Sequence, residues 1–320
     1  MPTASRVLSV RVPDDKDGER LDRFLAASID DLSRTRLQGL IEGGEVTGPA
    51  GTVTGPRHKV AAGETYRVSV PGERTGVPEP QAMALDILYE DNDIIVIDKP
   101  SGLVVHPAAG HPDGTLVNAL LAHCGPGFSA VGGAARPGIV HRLDIGTSGV
   151  MIAAKSEVAY LALTRDFAAH DIERSYEAVV WGVPSPPRGT IDANIGRSPR
   201  NRKKMAVLSR GGKPAITHYE TLRPGGGQLA LVRCTLETGR THQIRVHLSH
   251  IGHPIVGDPA YGRGRTKTRL EKMIGDMAEQ VDRPLLHAVT LGVNHPRTGE
   301  KLSFSSPKPI IFKGIFENFE

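Results

Sequence analysis

Leu21, Phe24, Leu25 and Ile29 recur at helical spacing, so the chain from Gly18 onward predicts a first short helix. Ser33 stands as an N-cap before a second helical stretch, Arg34 to Glu42. Its apolar positions are Leu37, Leu40 and Ile41, and Gly43-Gly44 stops it. Short strands follow at Glu45 to Thr47 and at Glu64 to Val70. Glu73 to Met83 is rich in Pro, Gly and polar residues, lacks periodicity and reads as a linker. Beyond it, strand-like runs occupy Ile94 to Ile97, Val150 to Ala154, Tyr176 to Trp181, Ala215 to Thr221 and Leu229 to Leu236. Helix-like runs occupy Thr115 to His123, Val158 to Ala169 and His242 to Ile251. In the last, Ile244, Leu248 and Ile251 share one face, and Gly252 and Pro254 end it. The strands are short and mostly not separated by single helices, which predicts an α+β fold with a mixed, mainly antiparallel sheet. The expected division is a small α/β unit over 1–76, a linker over 77–84 and one large domain over 85–320. Gly225-Gly226-Gly227 precedes no helix pattern and reads as a hairpin loop rather than a phosphate cradle.

The length of 320 residues fits about two domains. At 39% apolar and 23% charged residues the composition is that of an ordinary soluble globular protein. Cys124 and Cys234 fit no metal spacing, so a reduced, cytoplasmic protein is expected. Met1 to Asp14 holds no apolar run of signal-peptide length, and nothing approaches the ~18 apolar residues that span a bilayer. The net charge of +4 is only mildly basic, so its distribution carries more information. Arg197, Arg200, Arg202, Lys203 and Lys204 form one cluster, and Arg263, Arg265, Lys267, Arg269 and Lys272 another. Both lie in Gly-, Pro- or Ser-containing stretches that read as loops. Either they are solvated loops or they face a polyanion, and their pairing on one chain favours the polyanion.

The chemistry concentrates in the run Gly138-Ile139-Val140-His141-Arg142-Leu143-Asp144-Ile145-Gly146-Thr147-Ser148-Gly149. An apolar strand is expected to feed a polar loop with one carboxylate, followed by the strand Val150 to Ala154. No second Asp or Glu stands beside Asp144, and its nearest charged neighbour in sequence is Arg142. That pattern points to an ionised carboxylate used as nucleophile or base, not to a dyad sharing a proton. Two more polar blocks follow, Arg174-Ser175-Tyr176-Glu177-Ala178 and Glu237-Thr238-Gly239-Arg240-Thr241-His242-Gln243-Ile244-Arg245-Val246-His247-Leu248.

These three blocks, in this order, resemble the motifs of RluA/RluD-type pseudouridine synthases. Asp98-Lys99-Pro100, Val105-His106-Pro107, Asp113-Gly114-Thr115 and the run Gly212 to Tyr219 extend the similarity to the RluD branch. The two N-terminal helices with Arg34 and Arg36, followed by a small β unit, resemble an S4-type RNA-binding domain. The resemblance implies a pseudouridine synthase fold and the isomerisation of uridine to pseudouridine in large-subunit ribosomal RNA or a pre-50S particle. It implies Asp144 as the catalytic carboxylate, Tyr176 as an aromatic that stacks on uracil, and Arg245 as the cation that keeps Asp144 charged. Arg240 is the rival for that last role. Arg142 would either fill the gap left by a flipped uridine or simply pair with Asp144. His141, Arg142, Arg240, Arg34, Arg36, Arg202, Lys203 and Lys204 are the expected RNA contacts. Isomerisation needs no redox cofactor, nucleotide or metal, and the family implies a monomer with no membrane partner. His242, His247, His250 and His253 invite a metal reading, but no carboxylate or cysteine stands at matching positions and Arg245 would repel a cation. Two other readings remain: a non-catalytic RNA-binding assembly factor of the same fold, and a hydrolase or metal-dependent nuclease built on the histidines.

Overall fold

A computed structural model of the chain describes residues 6–29, 32, 34–70, 78–108, 110–133, 136–262, 267–317 and 319. The expected cap Ser33, the side chain of Arg36, and Arg263 and Arg265 of the second basic cluster lie outside the described residues, as does the side chain of Lys267. The chain divides into two compact units, Met1–Val77 and Pro78–Glu320.

The smaller unit contains β1 (Arg6–Arg11), α1 (Leu21–Ser28), α2 (Arg34–Glu42), β2 (Val46–Gly48), β3 (Gly51–Thr52) and β4 (Thr65–Val70). The strands form an antiparallel sheet in the order β1-β4-β2-β3. Leu21, Phe24 and Leu25 of α1 and Leu37 and Ile41 of α2 bury against Val46, Tyr66 and Val68, as the helical spacing requires. Asp22 is wholly buried on the polar side of that contact. It accepts two hydrogen bonds from Arg20 at 3.0 Å, two from Arg34 at 3.1 and 2.7 Å, and one from Gln38 at 2.6 Å. Burial opposes its charge, but these donors, Arg34 first, hold its carboxyl well below the usual range. Arg34, expected as an RNA contact, therefore commits Nε and Nη2 to tying α2 to α1.

The larger unit runs β5 (Ile87–Glu90), β6 (Ile94–Lys99), α3 (Leu116–Cys124), β7 (Ser148–Ala154), α4 (Glu157–Ala169), β8 (Glu173–Trp181), β9 (Arg188–Asp192), β10 (Ile195–Arg197), β11 (Met205–Val207), β12 (Ile216–Gly225), β13 (Leu229–Leu236), α5 (Gln243–His250), α6 (Lys267–Ile274), β14 (Leu286–Asn294), β15 (Lys301–Ser305) and α7 (Ile310–Glu317). Among the described residues nine of these strands make one sheet, β5-β6-β7-β14-β8-β13-β12-β9 with β15 also on β14, while β10 and β11 pair separately. Among the described residues only β7 and β14 pair in parallel, so the sheet is mixed and mainly antiparallel. The unbroken apolar runs of β6 and β7 follow from burial on both faces. Ile95, Ile97, Met151 and Ala153 face a core that includes Leu116 and Leu120 of α3. Ile94, Val96, Val150 and Ile152 face Ala159 and Leu163 of α4.

Three expectations need correction. Gly138 to Val140 is not a strand. It makes a single backbone bond to β7, from Ala154 N–H to Gly138 O at 2.9 Å, because the apolar run is too short to form a ladder before the polar loop begins. The second basic cluster is not all loop. Lys267 onward is helical, because Leu270 and Ile274, four residues apart, bury against the main core. Most of the expected linker belongs to the larger unit. Gln81 N–H donates to Asn118 O at 2.9 Å, Asn118 Nδ2 to Glu79 O at 2.8 Å, and Gly114 N–H to Gln81 Oε1 at 2.7 Å. A segment without periodicity of its own thus satisfies its polar groups on α3.

Gly149 sits where β7 meets β14, at φ +110°, opposite Ala288. A Cβ there would run into the backbone carbonyl of Ala288. Gly149→Ala is therefore expected to destabilise the fold by on the order of 3 kcal/mol, from left-handed strain plus overpacking. Urea unfolding checks this, and a midpoint equal to that of the wild type would show that the strands part without penalty.

Candidate active site

The polar loop that holds Asp144 is clamped from several sides. Gly102 N–H donates to Ile145 O at 2.8 Å, Ser101 Oγ to Gly146 O at 3.1 Å, and Thr147 N–H to Asp144 O at 3.0 Å. The first two donors follow the Asp98-Lys99-Pro100 motif. Lys99 orders that turn, its buried ammonium donating to Pro100 O and Leu103 O at 2.9 Å. Burial lowers its pKa to about 8, against the favourable charge of Asp144. His141 braces the other end. Its Nε2 accepts from Ile152 N–H at 3.1 Å, and its ring stacks on Phe167 at 4.6 Å. An acceptor nitrogen is unprotonated, and burial next to Arg174 holds this imidazole down to about 3. His141 thus serves the loop with one nitrogen already occupied.

Asp144 stands half-buried at the tip. Its Oδ2 accepts from Arg245 Nη1 at 2.9 Å, and its Oδ1 lies 3.8 Å from His242 Nε2. Arg245 enters from the first turn of α5. Its other face is a bidentate fork on Asp258, Nε to Oδ2 at 2.7 Å and Nη2 to Oδ1 at 2.9 Å. Asp258 is fully buried, and its Oδ1 also accepts from the backbone of Ala260 and Tyr261 at 2.8 and 3.1 Å. The guanidinium lies over the Tyr261 ring at 5.1 Å. Burial disfavours charge on Arg245, but Asp258 and then Asp144 outweigh it and raise its pKa. The guanidinium is therefore a fixed cation aimed at Asp144. Arg240 has no such contact. Its Nε donates to Pro214 O at 3.1 Å.

The loop carrying Arg240 is closed by Gln243. Its Oε1 accepts from Arg240 N–H and Thr238 Oγ at 2.9 and 2.8 Å, and its Nε2 donates to Ile216 O and Thr217 Oγ at 2.9 and 3.0 Å. Every hydrogen-bonding capacity of this buried amide is used on one side or the other, which pins the loop to β12. His242 then adopts a left-handed conformation at φ +57° as α5 begins. Its Nδ1 lies 2.8 Å from Tyr261 Oη, which also accepts from Met205 N–H at 3.0 Å. When the phenol donates to Nδ1, the ring presents Nε2–H towards Asp144. Burial disfavours the imidazolium and lowers the pKa of His242 despite the two aspartates.

Tyr176, on β8 between Cys234 of β13 and Ala288 of β14, lines the same cavity. Burial raises its phenol pKa and keeps it protonated, with Arg174 opposing and Asp144 adding to the shift. The cavity measures about 420 Å³, and its walls include Asp144, Phe167, Arg174, Tyr176, His242 and Arg245. Arg142 is exposed at its edge, and no ion pair joins it to Asp144 among the described residues. A wider depression of about 850 Å³, on the side of Lys99, Ser101 and Arg283, shares Arg245 but not Asp144 or Tyr176.

The remaining expected residues are dispersed. Arg202 and Lys203 are exposed in the turn between β10 and β11, whereas Lys204 donates to Ala260 O at 2.6 Å. His247 spends both ring nitrogens, on Thr217 Oγ at 2.9 Å and Ala193 O at 3.0 Å, which leaves no lone pair for a metal. No group of three or more His, Cys, Asp or Glu among the described residues could hold a metal ion. No helix among them is long and apolar enough to cross a membrane. Sequence reasoning missed Asp258, Gln243 and Arg174. The signal for Asp258 was an aspartate in Gly257-Asp258-Pro259 directly after an apolar pair, a context that reads as an ordinary turn.

The sequence pattern described as RNA pseudouridylate synthase matches residues 93–250. A protein of Zymomonas mobilis subsp. mobilis named ribosomal large subunit pseudouridine synthase D is 46% identical over 99% of this chain and 98% of its own length. A Bacillus subtilis protein named uncharacterized RNA pseudouridine synthase YlyB is 42% identical over 97% of both chains. Among solved structures, human RNA pseudouridylate synthase domain containing 4 superposes with a TM-score of 0.57 at 26% identity, covering 73% of this chain and 92% of that one.

Proposed function

The chain belongs to the RNA pseudouridylate synthase family, and from that premise we propose that it isomerises particular uridines of large-subunit ribosomal RNA to pseudouridine, with Asp144 as the catalytic carboxylate. The observation that carries this reading is the row Asp258–Arg245–Asp144 at a cavity also lined by Tyr176. A fixed guanidinium lies 2.9 Å from one oxygen of Asp144 and orients a carboxylate that can attack carbon or accept a proton.

A uridine in a stem reaches the cavity only after flipping out of its stack. Exposed Arg142, at the cavity edge, is suited to occupy the vacated space, since a guanidinium stacks on bases and pairs with phosphate. Tyr176 offers a protonated phenol and a ring face to the uracil. The N1–C1′ bond breaks, the retained uracil turns, and C5 bonds to C1′, losing its proton while N1 gains one. The smaller unit acts as an S4-type RNA-binding module, and Arg202 and Lys203 contribute salt-dependent attraction to the backbone. The protein works in the cytoplasm as a monomer, on ribosomal RNA or an assembling large-subunit particle.

The test is tritium release from ribosomal RNA transcribed with C5-tritiated uridine, because forming the C5–C1′ bond expels that hydrogen. Release is expected from free RNA or from precursor particles. Binding to both without release from either would overturn the reading in favour of a non-catalytic assembly factor.

A further inference from the structure

Arg174 is a buried cation without an acid. It precedes Tyr176 by two residues on β8, so both side chains leave the same face of the sheet, and both line the cavity. Only 6% of Arg174 is exposed. Its Nη2 donates to Glu237 O at 3.1 Å, its Nε is sealed off with no partner, and its guanidinium carbon lies 5.6 Å from the centre of the Phe167 ring. Among the described residues no carboxylate pairs with it. Arg245, in the same cavity, has two. Burying an unpaired charge is unfavourable for the folded chain, and a protein that retains one usually uses it on a ligand. Gly239 leaves room for this group, since a Cβ there would stand 2.9 Å from Arg174 Nη1.

Resting on the proposed isomerisation, we infer that Arg174 contacts the uracil and stabilises the negative charge it carries once bonding at N1 or C6 changes. The charge appears by any route. If N1–C1′ breaks heterolytically, the bonding pair leaves with uracil and spreads over N1, O2 and O4. C1′ is then satisfied either by a bond to the Asp144 carboxylate or by loss of the C2′ proton to it. If Asp144 instead adds to C6, the displaced π electrons move onto O4. In every case the charge is discharged as C5 bonds to C1′, Asp144 leaves C1′ or C6 or returns the C2′ proton, and the loss of the C5 proton is matched by a proton gained at N1, so the reaction remains an isomerisation. A phosphate is the rival anion, but phosphates stay on the backbone, within reach of exposed Arg142 and half-exposed Arg240. Arg174 is buried beside Tyr176, where the base enters.

The experiment compares wild type, Arg174→Gln and Arg174→Lys in single turnover at saturating protein, with RNA affinity measured across a salt series. Arg174→Gln is expected to lower the saturating rate by ~10²–10³-fold, the usual effect of removing one preorganised donor to developing charge. Affinity and its salt dependence stay at wild-type values, Arg174→Lys recovers part of the rate, and the melting temperature of Arg174→Gln does not fall. On RNA made with 5-fluorouridine, whose base is a more stable anion, the deficit in glycosidic cleavage shrinks at least ~10-fold, because less stabilisation is asked of the protein. Weaker, less salt-dependent binding with an unchanged saturating rate would overturn the inference and assign Arg174 to a phosphate. Equal rate losses on both RNAs with a lower melting temperature would overturn it in favour of a structural role. A wild type that binds but never turns over removes the premise itself, a result separate from either.

Discussion

Asp144→Asn is expected to lower turnover by at least about 10³-fold while leaving RNA affinity within about twofold, the signature of a group needed in the transition state and not for binding. The substitution keeps the shape of the side chain and an acceptor for Arg245 Nη1, so the loop clamped at Ile145 and Gly146 has no reason to move. What disappears is the charge. An amide cannot attack C1′ or take a proton from the sugar, whichever step comes first. Little stability is at stake, since Asp144 is partly exposed and Arg245 keeps its fork on Asp258. Tritium release read beside filter binding separates the two quantities. Turnover within tenfold of wild type would remove Asp144 from the chemistry and reopen the search within the cavity.

The largest expected effect on the folded state comes from Asp258→Ala. Arg245 would remain buried, with only the partly exposed Asp144 opposite, and the N–H groups of Ala260 and Tyr261 would lose their acceptor. Breaking one partner out of a buried pair typically removes about 3–5 kcal/mol. The guanidinium would also lose the fork that aims it, so kcat is expected to fall more than KM rises. Asp258→Asn retains an acceptor and should show a smaller loss of stability with a similar fall in kcat. Urea midpoints together with steady-state kinetics decide the matter. An alanine variant with wild-type midpoint and kcat would show that Arg245 is held by other contacts.

Helices α1, α2 and α5 were legible because each carries a regular apolar stripe, closed by Gly43-Gly44 in α2 and by Gly252 in α5. The strands β6, β7 and β13 were legible because continuous apolar runs have few other uses. α6 escaped because its basic residues outnumber the two apolar positions that hold it to the core. In the site, Asp144, Tyr176 and Arg245 stood in recognisable blocks. The choice between Arg245 and Arg240 did not, since both are arginines in one short stretch. Asp258 and Arg174 could not be read at all, because a turn aspartate and a strand arginine are commonplace until their burial is known.

By itself the sequence left β1, β5, β9–β11, β14, β15 and α7 unread, but determined the strongly periodic elements, the order of its polar blocks and, through their resemblance, the class of reaction. These depend on neighbours a few residues apart, where the 3.6- and 2-residue periods and the capping residues act. Only the tertiary structure decided which charges meet. Arg245 reaches Asp144 across 101 residues of chain, and Asp258 returns 13 residues later to hold it. Arg174 ends with no acid beside it among the described residues. Ion pairing inside a protein depends on distance and burial, and neither exists until the nine strands have closed around the site.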